Sequence, residues 1–146
     1  MFDGVARKAV HHLKYNNLKA ISRLMAQLLY DRSAVIGIPY DVLVPVPLHS
    51  SRLRERGYNQ STLLCWELGK LLSLPVDEKS LVRLRQTASQ TSFDRDGRRA
   101  NVEDAFDCAG GALVGRDVLL IDDVCTTGAT LKSCAVGLKK KGAFSV

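Results

Sequence analysis

Two adjacent carboxylates, Asp122 and Asp123, close the apolar run Val118-Leu119-Leu120-Ile121 and lead into Val124-Cys125-Thr126-Thr127-Gly128-Ala129-Thr130. The order is a buried strand, two acids, a turn of small hydroxylated residues and the start of a helix. In open α/β sheets ligands bind beyond the carboxyl ends of the strands, which aims both acids at a bound molecule. The turn from Thr126 to Thr130 offers consecutive backbone N–H groups and hydroxyls at a helix N-terminus, a nest suited to a phosphate monoester. Carboxylates that can hold hydroxyls, a few residues from a phosphate cradle, spell a sugar phosphate. A strand ending on Asp-Asp before a Thr-capped helix would use the same residue types. Two acids beside an apolar strand end are costly without a partner, however, which favours a site. The sequence has neither a Walker P-loop nor a G-x-G-x-x-G turn.

The basic residues are not spread evenly. Between 49 and 60, Arg52, Arg54 and Arg56 stand against Glu55 for a net +2; between 79 and 101, Lys79, Arg83, Arg85, Arg95, Arg98 and Arg99 stand against Asp94 and Asp96 for +4. These two segments carry the whole formal charge of +6. The chain reads as a neutral scaffold with two basic loops, and net charge of this kind speaks about partners, not fold. A polyphosphate or a polyanion is the natural ligand. A solvated basic face is the plainer reading of the same arginines.

The elements that must position these groups follow from periodicity. Val5, Ala6, Ala9, Val10 and Leu13 share one helical stripe, and Ile21, Leu24, Met25 and Leu28 share another, so two helices broken near Asn16-Asn17 open the chain. Asp41-Val42-Leu43-Val44-Pro45 is a short strand feeding the first basic loop. A helix resumes at Asn59, with Leu64, Leu68, Leu71 and Leu72 on one face, and stops at Leu74-Pro75. Leu81-Val82 and Leu84 suggest one short strand, Asn101 to Phe106 a turn of structure, and 86–100 a long loop. Asp117 to Ile121 is a strand buried on both faces, and Gly128 to Lys141 a helix with Leu131, Cys134, Ala135 and Leu138 inward, closed by Gly142. Ala143-Phe144-Ser145-Val146 opens a further strand that reads as shortened. Strand, loop and helix in repetition give an α/β fold with a mainly parallel sheet.

Length and composition set the outer bounds. The 146 residues suit one domain with one site, and 46% hydrophobic against 25% charged residues is a globular balance. No apolar run reaches the roughly 20 residues of a membrane span, and Met1-Phe2-Asp3-Gly4 does not open a signal peptide. A cytoplasmic location is the expectation. Cys65, Cys108, Cys125 and Cys134 lack zinc-knuckle spacing, and His11 and His12 point apart on a helix, so direct metal ligation is not expected. The thiols read as reduced and buried.

Residues 118–130 resemble the phosphoribosyl pyrophosphate (PRPP) motif of type I phosphoribosyltransferases. Within that superfamily, Asp41 to Leu48 together with Arg52-Leu53-Arg54-Glu55-Arg56-Gly57-Tyr58-Asn59-Gln60 is similar to the competence protein F (ComF) family, as are Lys14, Gln90, Arg98, Arg99, Asn101, Ala105 and Phe106. The resemblance implies a type I phosphoribosyltransferase-like α/β fold, with a central, mainly parallel sheet flanked by helices, over residues 1–146. It implies that Asp122 and Asp123 hold the ribose hydroxyls and that Thr126, Thr127, Gly128, Ala129 and Thr130 hold the 5-phosphate. The segment from Pro45 through Val46 and Pro47 to Arg56 takes the place of the pyrophosphate loop. Arg52, Arg54 and Arg56 all qualify there as the basic side chain, and Arg56 joins Asp122 and Asp123 in the catalytic set. Arg83, Arg85, Arg98 and Arg99 belong to a flexible hood over 83–99. Magnesium accompanies the diphosphate, held by substrate oxygens and water without direct protein ligands. A cis bond at Val44-Pro45 or Val46-Pro47 would turn the loop's N–H groups inward at a cost of only about 0.5–1 kcal/mol.

Family members commonly begin with a four-cysteine zinc ribbon, which nothing here matches, so no zinc is expected. Two functions remain: phosphoribosyl transfer from PRPP to an unknown acceptor with release of pyrophosphate, and a non-catalytic or PRPP-sensing accessory role in DNA uptake that binds single-stranded DNA. Partners under these readings are PRPP and its acceptor, single-stranded DNA, competence proteins, or a second copy of the chain as a homodimer. Tyr58 and Phe93 are the sole aromatics of the basic segments, a sparse stacking platform. Trp66 is expected in the core.

Overall fold

The computed structural model describes residues 20–37, 39–84 and 105–146. Its elements run α1 (Ala20–Ile36), β1 (Val42–Pro45), α2 (Ser50–Arg56), α3 (Gln60–Leu72), β2 (Leu81–Arg83), β3 (Phe106–Cys108), β4 (Val118–Ile121) and α4 (Ala129–Lys140). The helix expected over 5–13 and the loop over 86–100 lie outside the described residues, as do Lys14, Arg85, Gln90, Arg98, Arg99 and Asn101.

β1 and β4 pair in parallel, Val42 opposite Val118 and Pro45 opposite Ile121. Parallel bridges extend this ladder on both sides, Leu43 to Val76 and Asp117 to Ser145. The final residues thus join the sheet edge as their apolar pattern suggests. Side chains alternate across a strand, and here both faces are covered. Val42, Val44, Val46 and Val118 enter one core with Phe106, Cys134 and Leu138. Leu43 and Ile121 enter the other with Ala26, Leu64, Cys65 and Leu68. Helices α1 and α3 cover the second face, α4 and the antiparallel β2–β3 ribbon the first. Two covered faces explain why β1 and β4 read as unbroken apolar runs.

Several helix ends follow from local chemistry. Asn59 caps α3, its side chain accepting from the Ser61 N–H. α4 closes in a Schellman arrangement: the Gly142 N–H reaches the Lys139 carbonyl and the Ala143 N–H that of Leu138, with Gly142 left-handed as expected.

Three expectations need correction. α1 does not bury its leucine stripe: Leu24 is 70% and Leu28 67% exposed, while Ser22 and Ala26 are buried. Small residues let α1 lie close on α3, so the tighter face wins over the greasier one. Trp66 is 45% exposed, its indole donating to Glu78 Oε1 at 3.2 Å. The first basic segment is no open loop, because Ser50–Arg56 forms the short helix α2. His49 Nδ1 caps it by accepting from the Ser51 N–H at 3.3 Å, and left-handed Gly57 ends it.

Candidate functional site

The parallel pairing of β1 and β4 brings the carboxyl ends of both strands to one edge of the sheet, and the chemistry gathers there. One backbone bond, Val46 N–H to the Ile121 carbonyl at 2.9 Å, ties the segment after β1 to the residue before Asp122. Pro45 ends β1, while Val46 and Pro47 form the short irregular stretch before α2. Both X-Pro bonds are trans, so the cis turn expected at Val44-Pro45 or Val46-Pro47 is absent. The stretch is instead held from α3, whose Asn59 Nδ2 donates to the Val46 carbonyl at 2.9 Å.

Asp122 and Asp123 stand half-buried at the end of β4. Asp122 Oδ1 accepts from the Asp123 N–H at 2.8 Å and from Ser61 Oγ at 3.2 Å. Burial, and next the charge of Asp123, raise the Asp122 carboxyl to about 6, against an ordinary 3.8. The pair therefore holds negative charge in a place that resists it, as a site awaiting donor groups does. Cys134, fully buried on α4, has its thiol pushed up to about 12 by burial and by Asp122.

After the acids, Cys125, Thr126 and Thr127 are exposed and Gly128 becomes the N-cap of α4 at φ 74°. A side chain at Gly128 would meet open space, yet that left-handed backbone strains any other residue. Gly128 brings no capping side chain; the Thr127 hydroxyl accepts from the Ala129 N–H at a long 3.4 Å. The first-turn N–H groups of α4 thus lie beside Thr126 and Thr130, as an anion cradle requires.

The arginines sort by position. On α2, Arg52 and Arg56 are four residues apart, share one side and are half-buried, whereas Arg54 points elsewhere and is exposed. Arg83, at the end of β2, lies within electrostatic reach of Asp122 and of Arg52. Its guanidinium stacks 5.3 Å from the centroid of Phe106. Burial, then the Arg52 charge, lower the Arg83 pKa, and Cys134 and Asp122 act against that. Asp122, Asp123, Val46, Arg52 and Arg83 are thus gathered at one sheet edge. Arg85, Arg98 and Arg99 fall outside the described residues.

Sequence reasoning placed the start of α3 at Asn59 but missed its contacts with the site. Asn59 holds the Val46 carbonyl, Ser61 donates to Asp122, and Gln60 between them is buried with its Nε2 lacking a hydrogen-bond partner among the described residues. Buried donors of this kind ordinarily find an acceptor, so Gln60 marks the spot as incomplete. The signal was available, since a capping Asn followed by polar Gln-Ser-Thr opens a helix directly after the basic segment. Among the described residues no group of three or more His, Cys, Asp or Glu could hold a metal ion, and no helix is long and apolar enough to cross a membrane.

No family model matches the sequence. The DNA utilization protein YhgH of Salmonella typhi is 36% identical over 143 residues, 94% of this chain and 62% of that protein. Competence protein F of Haemophilus influenzae is 34% identical over 141 residues, 91% of this chain and 61% of that protein. Competence protein ComFC of Bacillus subtilis is 39% identical over 101 residues, 69% of this chain and 39% of that protein. The chain thus spans about three-fifths of the length of the first two relatives. Among solved structures, the glutamine phosphoribosylpyrophosphate (PRPP) amidotransferase from B. subtilis, complexed with ADP and GMP, superposes with a TM-score of 0.56 at 19% identity. The match covers 84% of this chain and 24% of that one, and it gives the fold.

Proposed function

Because the chain belongs to the competence protein F family and has the type I phosphoribosyltransferase fold, we propose that it binds PRPP and transfers the phosphoribosyl group to an acceptor. The observation that carries this reading is the half-buried Asp122–Asp123 pair one turn before the Gly128-capped start of α4. The two carboxylates accept hydrogen bonds from the ribose 2- and 3-hydroxyls, and the N–H groups of 126–130 take the 5-phosphate. The Arg52, Arg56 and Arg83 guanidinium groups take the diphosphate.

The C1–O bond to diphosphate breaks, the electron pair leaves with the diphosphate, and a new bond forms from C1 to the acceptor. Positive charge developing at C1 is stabilised by the nearby carboxylates, and negative charge on the leaving group by the arginines. The elevated Asp122 carboxyl suits this role: hydroxyl donors and a cationic centre favour its ionised form. Magnesium would accompany the diphosphate, held by its oxygens and by water, beside the Asp122–Asp123 pair that takes the ribose hydroxyls. It would supply charge neutralisation on the leaving group.

Isothermal titration with Mg-PRPP tests the reading. Binding should be saturable in the parent and absent when Asp122→Ala and Asp123→Ala are combined; undiminished binding by that double variant overturns the site assignment. Pyrophosphate release across a panel of candidate bases and amines then identifies the acceptor. The names of the relatives favour a second reading, an accessory role in DNA uptake in which the same arginines bind single strands. Under it, affinity for an oligonucleotide falls steeply with salt and weakens in Arg83→Ala, and a flat salt profile counts against it.

A further inference from the structure

A second cavity of about 340 Å³ lies beside the sheet-edge site, between α2 and α3. Its walls include Pro47, Leu53, Tyr58, Asn59, Trp66 and Glu78. The volume is that of a small-molecule pocket. Three features make it more than a surface dent. Trp66 and Leu53, large apolar side chains of the lining, are 45% and 43% exposed. The Trp66 indole N–H donates to Glu78 Oε1 at 3.2 Å, which leaves the second carboxylate oxygen for a ligand. Among the described residues Glu78 is also the one charged residue of the lining, to which Arg52, Arg54 and Arg56 contribute nothing.

The lining therefore selects by charge as well as shape. Among the described residues a phosphate finds no cation inside and a carboxylate at the wall. A flat aromatic ring gains a Trp66 face, and an N–H donor on that ring gains Glu78. We propose that this cleft is a second ligand site, taking a flat aminated heterocycle without phosphate, and that it is separate from the acidic turn. Two of its walls reach the sheet-edge site: Pro47 follows Val46, and Asn59 holds the Val46 carbonyl. Occupancy thereby touches the segment that also faces Asp122.

The chain has a single Trp, so intrinsic fluorescence reads this cleft directly. Adenosine is the probe, with purine riboside, which lacks the amino group, as its control. Adenosine should shift Trp66 emission saturably, and equally in the combined Asp122→Ala, Asp123→Ala variant, so that failure of the PRPP reading leaves this one standing. Purine riboside, and adenosine with Glu78→Gln, should each bind more weakly by about tenfold or more, the loss of one hydrogen bond to a charged acceptor. Glu78→Gln should keep the parent's circular dichroism and urea midpoint, which separates lost recognition from lost folding. Absence of a saturable shift up to the solubility limit overturns the proposal. So does equal binding of purine riboside. Tighter binding of oligodeoxyadenylate than of adenosine, lost with added salt, also overturns it, in favour of a nucleic-acid strand.

Discussion

Replacing Asp122 by Asn should stabilise the ligand-free protein while removing its affinity for PRPP. Asn keeps an oxygen for both bonds that Asp122 Oδ1 now accepts, from the Asp123 N–H and from Ser61 Oγ, and it changes the volume little. What it removes is a charge held where burial and Asp123 oppose it. The folded-state pKa of about 6 lies above the ordinary 3.8, so the folded protein binds the extra proton between those values. Stability is then greatest below the lower value and declines as pH rises through the upper one. About two pKa units at 1.36 kcal/mol each set a ceiling near 3 kcal/mol at pH about 8, falling to about 1 kcal/mol near pH 4.5. A realised gain of about 2 kcal/mol would raise Tm by roughly 4–8 °C for a chain of this size. Urea melts of parent and variant at the two pH values measure it, and titration calorimetry with Mg-PRPP follows the accompanying loss of binding. A variant less stable than the parent at pH 8, or a gain identical at both pH values, refutes the electrostatic account.

Arg52→Ala should weaken Mg-PRPP binding by about tenfold or more, the value of one charge-assisted bond to a phosphate, while Arg54→Ala stays within about threefold; equal losses would show that α2 does not sort its arginines by face. Gly128→Ala should cost about 1–2 kcal/mol in urea denaturation, because its φ of 74° strains an L-residue even with open space around the new methyl. Leu43→Ala, at the fully buried centre of β1, should cost about 2–5 kcal/mol by the same measurement. Ellman's reagent should label one thiol rapidly in the native protein, exposed Cys125, and all four after unfolding, since Cys65, Cys108 and Cys134 are buried; fast labelling of a second thiol would contradict the packing of both cores.

The parts of the fold that could be read from sequence are those whose pattern has one solution. β1 and β4 are short apolar runs covered on both faces, and α3 and α4 present Leu64, Leu68, Cys134 and Leu138 at helical spacing to a partner that exists. The acidic turn was legible for the same reason: strand, acids, small residues and helix follow one another without a gap. α1 was half legible. Its helix was evident, but the choice of face depended on α3, which no local pattern encodes. α2 escaped notice because Ser50–Arg56 has little apolar content, although the His49 cap and Gly57 stop bracket it. Ser61 and Arg83 reach Asp122 from distant parts of the chain, and only tertiary packing makes them neighbours.

Asn59 has one further consequence. Its side-chain oxygen caps α3 and its nitrogen straps the Val46 carbonyl, so a single planar amide works as a spacer of fixed length between a helix start and the segment beside Asp122. A side-chain amide has an acceptor at one tip and a donor at the other. Asn59→Asp would keep the cap and set a carboxylate against a carbonyl; Asn59→Ser would keep the cap and fall short of the strand. The two substitutions uncouple folding from site geometry, offering a way to detune the sheet edge while the scaffold stays intact.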